Sequence, residues 1–250
     1  MNLLLWEHHI VIYGVIWEAE KPPLYGGLFC YNKIMKIFDH TSYEYRISSI
    51  NPGTNNGAYF YSKEIVENII PKVKTDRNWV TIKVVGRCYD HSIVFIHNNN
   101  HPEWYDWLKH YKDLVLVCGV PDTVPKLQER LPMHHVIYLP LSIDTKYVKK
   151  FKTKKTKAAC FAGRASKKTK DLPDNIDSIQ NISRDELLAE MAKYKTVYGV
   201  GRVALEAKCL GAKIGIYDSR YPKDIWKVID NADAALMLQE ELDKIDKKEA

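Results

Sequence analysis

The chain has no Cys-x-x-Cys pair, no Asp-x-Asp and no apolar run long enough to span a bilayer. Its five cysteines, Cys30, Cys88, Cys118, Cys160 and Cys209, are odd in number and widely spaced. That spacing gives no zinc pattern and no disulfide framework, and it favours reduced, buried thiols and a cytoplasmic location. The longest clean apolar run, Ile10–Trp17, falls well short of the about 20 residues a transmembrane helix requires. The first residues carry neither a basic n-region nor a small-residue cleavage site, so neither a secretory leader nor a transmembrane segment is expected. Neither sign of charge dominates: Lys plus Arg is 37, Asp plus Glu is 31, and the net charge is +6. This mild excess points to anionic ligands and falls short of a nucleic-acid-binding signature.

Short apolar runs rich in β-branched residues are plentiful: 33–40, 79–85, 92–97, 114–119, 135–141, 158–163, 195–199 and 213–218. Few alternate polar with apolar, so they read as strands covered on both faces, as in parallel sheets. Helical stretches are expected at 58–70, 101–111, 183–194, 201–210, 221–230 and 232–248. Pro102 suits a first helical position, and Ser183 with Glu186 forms a capping box. The alternation predicts an α/β fold with mainly parallel sheets.

The segment 145–157 carries seven lysines and reads as a boundary. The expected organisation is an N-terminal extension or extra strands over 1–34, a first α/β domain over 35–145, a Lys-rich linker over 146–157 and a second domain over 158–250. Lys146–Lys157 is either a solvated connector or a patch for an anionic acceptor such as a nucleic acid, a lipid surface or an acidic polymer.

Gly199-Val-Gly201-Arg-Val-Ala204 satisfies G-x-G-x-x-G/A between a strand and a helix. The glycines allow a tight turn and a close backbone approach, and the helix start offers free N–H groups to a phosphate. Asp218, at the end of the next strand, stands where a dinucleotide enzyme would hold a ribose. An NAD(P)-dependent oxidoreductase is therefore one reading. Against it, the turn comes late: few strand-like residues follow Asp218.

With Glu206 four residues after Arg202, the stretch 201–214 resembles a segment of the nucleotide-sugar glycosyltransferases built from two facing Rossmann-like domains, the GT-B fold. "VIYLPLSIDTKYVKKF" (136–151) is similar to the stretch closing their acceptor-side domain. "AACFAGRASKK" (158–168) is similar to the first strand and loop of their donor side. The resemblance covers residues 33–230. It implies transfer of a sugar from a nucleoside diphosphate, with UDP the expected nucleotide, to a hydroxyl acceptor. Glu206 would accept from the donor ribose hydroxyls, and Gly199, Gly201 and Arg202 would lie under the diphosphate. Arg164 would reach the same oxygens, with Lys167 or Lys168. Cations and a helix N-terminus there would stabilise the leaving group, and the missing Asp-x-Asp fits metal-independent transfer with no cofactor beyond the nucleotide sugar.

In the first half, the loop 51–60 with Asn55, Asn56 and Gly57 would line the cleft. His97 and His40, the latter beside Asp39, close apolar strands where α/β sheets place ligands. Either imidazole would serve as base for an acceptor hydroxyl or as a partner of the sugar. Each of these residues also has a plain reading as a loop, a cap or a surface charge. A non-catalytic nucleotide-sugar-binding module stays open as well. Tyr198 occupies the position where retaining relatives carry a second acid, so the anomeric outcome is not implied.

Overall fold

A computed structural model describes residues 37–39, 57–82, 88–97, 100–163, 169 and 171–249. The first unit contains β1 (Ile37–Asp39), α1 (Gly57–Glu64), β2 (Asn78–Ile82), β3 (Ser92–Ile96), a 3-10 helix (Pro102–His110), β4 (Leu114–Cys118), α2 (Thr123–Arg130) and β5 (His135–Tyr138). A short α3 (Thr145–Lys149) leads to the second unit of β6 (Lys157–Ala162), β7 (Asp177–Ile179), α4 (Arg184–Met191), β8 (Tyr194–Tyr198), α5 (Arg202–Cys209) and β9 (Lys213–Gly215). A final helix, α6, spans Asn231–Glu249.

Two parallel sheets result, one of order β1-β2-β3-β4-β5 and one of order β7-β6-β8-β9. The continuous apolar runs are explained by burial on both faces. On one face of the first sheet Trp79 stacks with Phe95 at 6.2 Å, against Ile65 and Ile69. On the other, Val80, Val94 and Leu116 meet Tyr105, Leu108 and Leu127. The second core joins Cys160 and Val197 to Leu187, Met191 and Leu205.

Several expectations are corrected. The chain's last helix, assigned by sequence to the second domain, packs Leu238 and Leu242 on the first sheet's core. Each fully buried leucine contributes roughly 1.5–3 kcal/mol, so α6 belongs energetically to the first unit. The span 221–230 is irregular instead of helical: Pro222 lies near its start, Asp224 accepts from Trp226 N–H at 3.0 Å, and Trp226 enters the second core. The stretch after His101 is a 3-10 helix with Pro102 in its first turn. Within the Lys-rich segment, Val148 is fully buried on α3, so part of the expected linker is anchored. The 1–34 extension lies outside the described residues. Among the described residues, no helix is long and apolar enough to cross a membrane.

Candidate functional site

The strand order of the second sheet reverses between β6 and β8: β6 connects outward to β7, and β8 to β9. Open α/β sheets bind ligands in the crevice beyond such a reversal. Gly199 and Gly201 lie there, after β8. A Cβ on Gly199 would meet Val203 Cγ1 at 2.6 Å, so the turn closes only with glycine. Gly201 has φ +63°, in the left-handed region, and a Cβ built on it meets nothing within 4 Å among the described residues. Gly201 is the N-cap of α5 and, having no side chain, brings no acceptor of its own to the first-turn N–H groups.

Arg202 opens α5, where a cation opposes the helix dipole. It is 6% exposed, so partners must hold it. Arg202 Nε donates to Glu206 Oε1 at 2.8 Å, and Nη2 donates to Glu64 Oε1 at the end of α1. Arg184, the first residue of α4, donates from Nη2 to Glu64 Oε1 at 3.1 Å and from Nε to Glu206 Oε1 at 3.3 Å. Its guanidinium lies 5.1 Å from the Phe60 ring centroid and 5.2 Å from that of Tyr147. Two arginines of the second unit are thus shared by one carboxylate of each unit.

Glu64 also ties the two chain crossings. Its Oε2 accepts from Asp144 N–H at 3.0 Å and from Asn231 Nδ2 at 2.8 Å. Beside it Ile143 bridges to Asp230, and Thr145 Oγ1 donates to Asp230 Oδ2 at 2.7 Å. Burial pushes the Glu64 carboxyl up, but the charge and hydrogen bond of Arg202, then Asn231 and Arg184, pull it below its ordinary value. It stays ionised. Arg202 Nη1, Asn231 Oδ1 and Ser142 Oγ are buried at this junction without hydrogen-bond partners among the described residues. Unpaired buried polar atoms are uncommon in native proteins.

Arg202 and Glu206, expected under the diphosphate and on the ribose, form an ion pair with each other. Asp218 accepts from Arg220 Nε at 2.9 Å and Nη2 at 2.6 Å, so its carboxylate is engaged on both oxygens. His97 follows β3 and packs its ring on Tyr61 of α1 at 5.3 Å. Asp39 closes β1 and Gly57 opens α1. The loop after β3 touches the segment after β9 through Tyr221 Oη and Asn100 Oδ1, 3.3 Å apart, so carboxyl-end loops of both sheets meet. His40, Asn55, Asn56, Arg164, Lys167 and Lys168 lie outside the described residues.

Sequence reasoning missed Glu64 and Arg184. The one available signal was Arg202 itself, a cation at an α-helix start that needs carboxylates nearby. Among the described residues no group of three or more His, Cys, Asp or Glu side chains is arranged to hold a metal ion. No protein-family model, no curated protein and no solved structure matches the chain.

Proposed function

We propose that the chain is a glycosyltransferase of two facing Rossmann-like domains, moving a sugar from a nucleoside diphosphate, UDP in the first instance, to a hydroxyl acceptor. The observation that carries the reading is the Gly199–Gly201 turn. It sits at the strand-order reversal of a parallel sheet, with a positive-φ glycine that meets no described residue within 4 Å of a built Cβ and a helix that this glycine caps without a side-chain bond. The diphosphate would rest on the amides opening α5, whose N–H groups and partial positive charge stabilise the departing nucleotide. Glu206, one turn further in, would receive the ribose. Arg164 and Lys168 would approach from the loop after β6, and His97 from the end of β3 would serve the acceptor hydroxyl. The two faces would then close around the donor and exclude water.

The rival oxidoreductase reading asks Asp218 to hold a ribose, and Arg220 already occupies that carboxylate. A second reading has one observation in its favour: Glu206 is 2% exposed and paired with two arginines, as a purely binding or structural unit would have it.

A thermal-shift screen over UDP-, GDP-, ADP- and TDP-sugars and over dinucleotides separates these. Selective binding of a ligand at 100 times its Kd stabilises the fold by about 2.7 kcal/mol. A rise with a nucleotide sugar, abolished in Glu206→Ala and kept in Asp218→Ala, is expected. A rise with dinucleotides alone sinks the transferase. Binding without release of free nucleoside diphosphate in the presence of cell extract leaves the binding module.

A further inference from the structure

We propose that Glu64 is a positioning residue: by engaging Arg184 and Arg202 it keeps Glu206 Oε2 open to accept from a ribose. The inference rests on the nucleotide-sugar reading above. The hydrogen bonds that Glu206 makes with described residues all fall on Oε1, from Arg202 Nε and Arg184 Nε. Arg202 turns its Nη2 to Glu64 Oε1 instead, and Arg184 Nη2 is shared, 3.1 Å from Glu64 Oε1 and 3.2 Å from Glu206 Oε1. A guanidinium fork readily takes both oxygens of a single carboxylate. Were Glu206 the only acid within reach, two arginines would close on it and use both its oxygens. Glu64 prevents that by drawing Arg202 Nη2 away and holding Arg184 Nη2 between the two carboxylates, on the Oε1 side of Glu206.

The arrangement also accounts for where Glu64 comes from. It belongs to α1 of the first unit, while the groups it positions open α4 and α5 of the second. Its other oxygen is fixed by Asp144 N–H and Asn231 Nδ2, one on each chain crossing. The carboxylate therefore has a defined place relative to both units. Arg202 Nη1 is buried without a hydrogen-bond partner among the described residues.

The test uses the full chain and Glu64→Gln, with folding checked by circular dichroism. The probes are UDP, 2′,3′-dideoxy-UDP and inorganic pyrophosphate, titrated calorimetrically. The natural protein is expected to prefer UDP over the dideoxy analogue by about tenfold or more, the weight of one lost charge-assisted hydrogen bond. Glu64→Gln is expected to erase most of that preference while pyrophosphate binds no more weakly. Thr145→Ala loosens the same crossing by removing the bond to Asp230; it should lower the Tm and keep the preference. An unchanged preference in folded Glu64→Gln overturns the assignment, as does an equal loss for all three probes, which marks a bolt and nothing more. If Glu64→Gln does not fold, a crystal structure of the natural chain with UDP decides. Glu206 Oε2 on a ribose hydroxyl, with both arginines still on Glu64, supports the assignment; an arginine leaving Glu64 for the ligand overturns it. UDP bound without ribose preference overturns this assignment alone. A chain that binds neither UDP nor pyrophosphate overturns the transferase reading and this assignment with it.

Discussion

Arg77 and Arg202 are both buried arginines held by two carboxylates, yet they sit in different media. Arg77 lies at the amino edge of the first sheet, and its side chain is 2% exposed. Its partners reach water: Asp113 is 35% exposed at 2.5 Å, and Asp246 on α6 is 60% exposed at 3.5 Å. Around Arg202 they scarcely do, since the Glu64 and Glu206 side chains are 7% and 2% exposed. Solvent screens the first set and relaxes around whatever a mutation leaves behind. The second set is dry, so each charge depends on its partners. The same ion-pair chemistry makes a tether at one end of the first sheet and a fixed junction between the two units at the other.

The largest expected effect tests the dry side. Glu64→Ala removes the acceptor of four hydrogen bonds and leaves two buried arginines to share Glu206 alone. Breaking a buried pair from one side costs about 3–5 kcal/mol, to be read from urea denaturation at neutral pH. A loss below about 1 kcal/mol, the range of exposed pairs, would show that water reaches the junction, and the contrast would collapse.

Acid titration asks the same question without mutation. Glu64 is held below its ordinary value of 4.5. Its folded-state value is therefore depressed, so its stabilisation is present above the unfolded value and is lost as pH falls through the folded one. Asp113 behaves alike: burial raises its carboxyl, while the His91 and Arg77 hydrogen bonds bring it below 3.8. The stability gap between the natural chain and Glu64→Gln should narrow progressively below pH 4.5. A gap that stays constant on acidification would mean that Glu64 holds its place by shape and not by charge.

On the wet side, Arg77→Met takes hydrogen bonds from the Asp113 carbonyl and carboxylate but leaves that carboxylate with His91 and partly in water. A cost of about 2 kcal/mol is expected, the range for hydrogen bonds to charged groups. A loss equal to that of Glu64→Ala would erase the distinction between the two clusters.

How much of this was legible in the sequence follows from range. Strands such as 92–96 and 114–118 announced themselves because burial on both faces leaves unbroken apolar runs. The capping box at Ser183 and the Gly199–Gly201 turn were legible because each is a local rule of backbone satisfaction. β7 was not, since three residues carry no periodicity. Neither was the crossing of α6 to the first sheet, for its apolar stripe says that it packs and not on what. The junction was least legible. Glu64 and Arg202 are 138 positions apart, and Glu64 and Arg184 are 120 apart. In a linear reading each is an ordinary helix charge; only Arg202, set against its helix dipole, hinted that acids must come from elsewhere.

The smallest expected effect is the sharpest check on the wet side. Asp246→Asn removes a carboxylate 60% exposed and 3.5 Å from Arg77 Nη2. Exposed pairs contribute about 0–1 kcal/mol, so the Tm should move by no more than about 4 °C for a chain of this size. The helix that carries Asp246 is anchored by Leu238 and Leu242 in the first core, and apolar burial does not change with this substitution. A drop of many degrees would therefore mean that the Arg77 charge, and not the apolar stripe, docks α6. Arg77 would then belong with Arg202 among the charges that cannot be left alone.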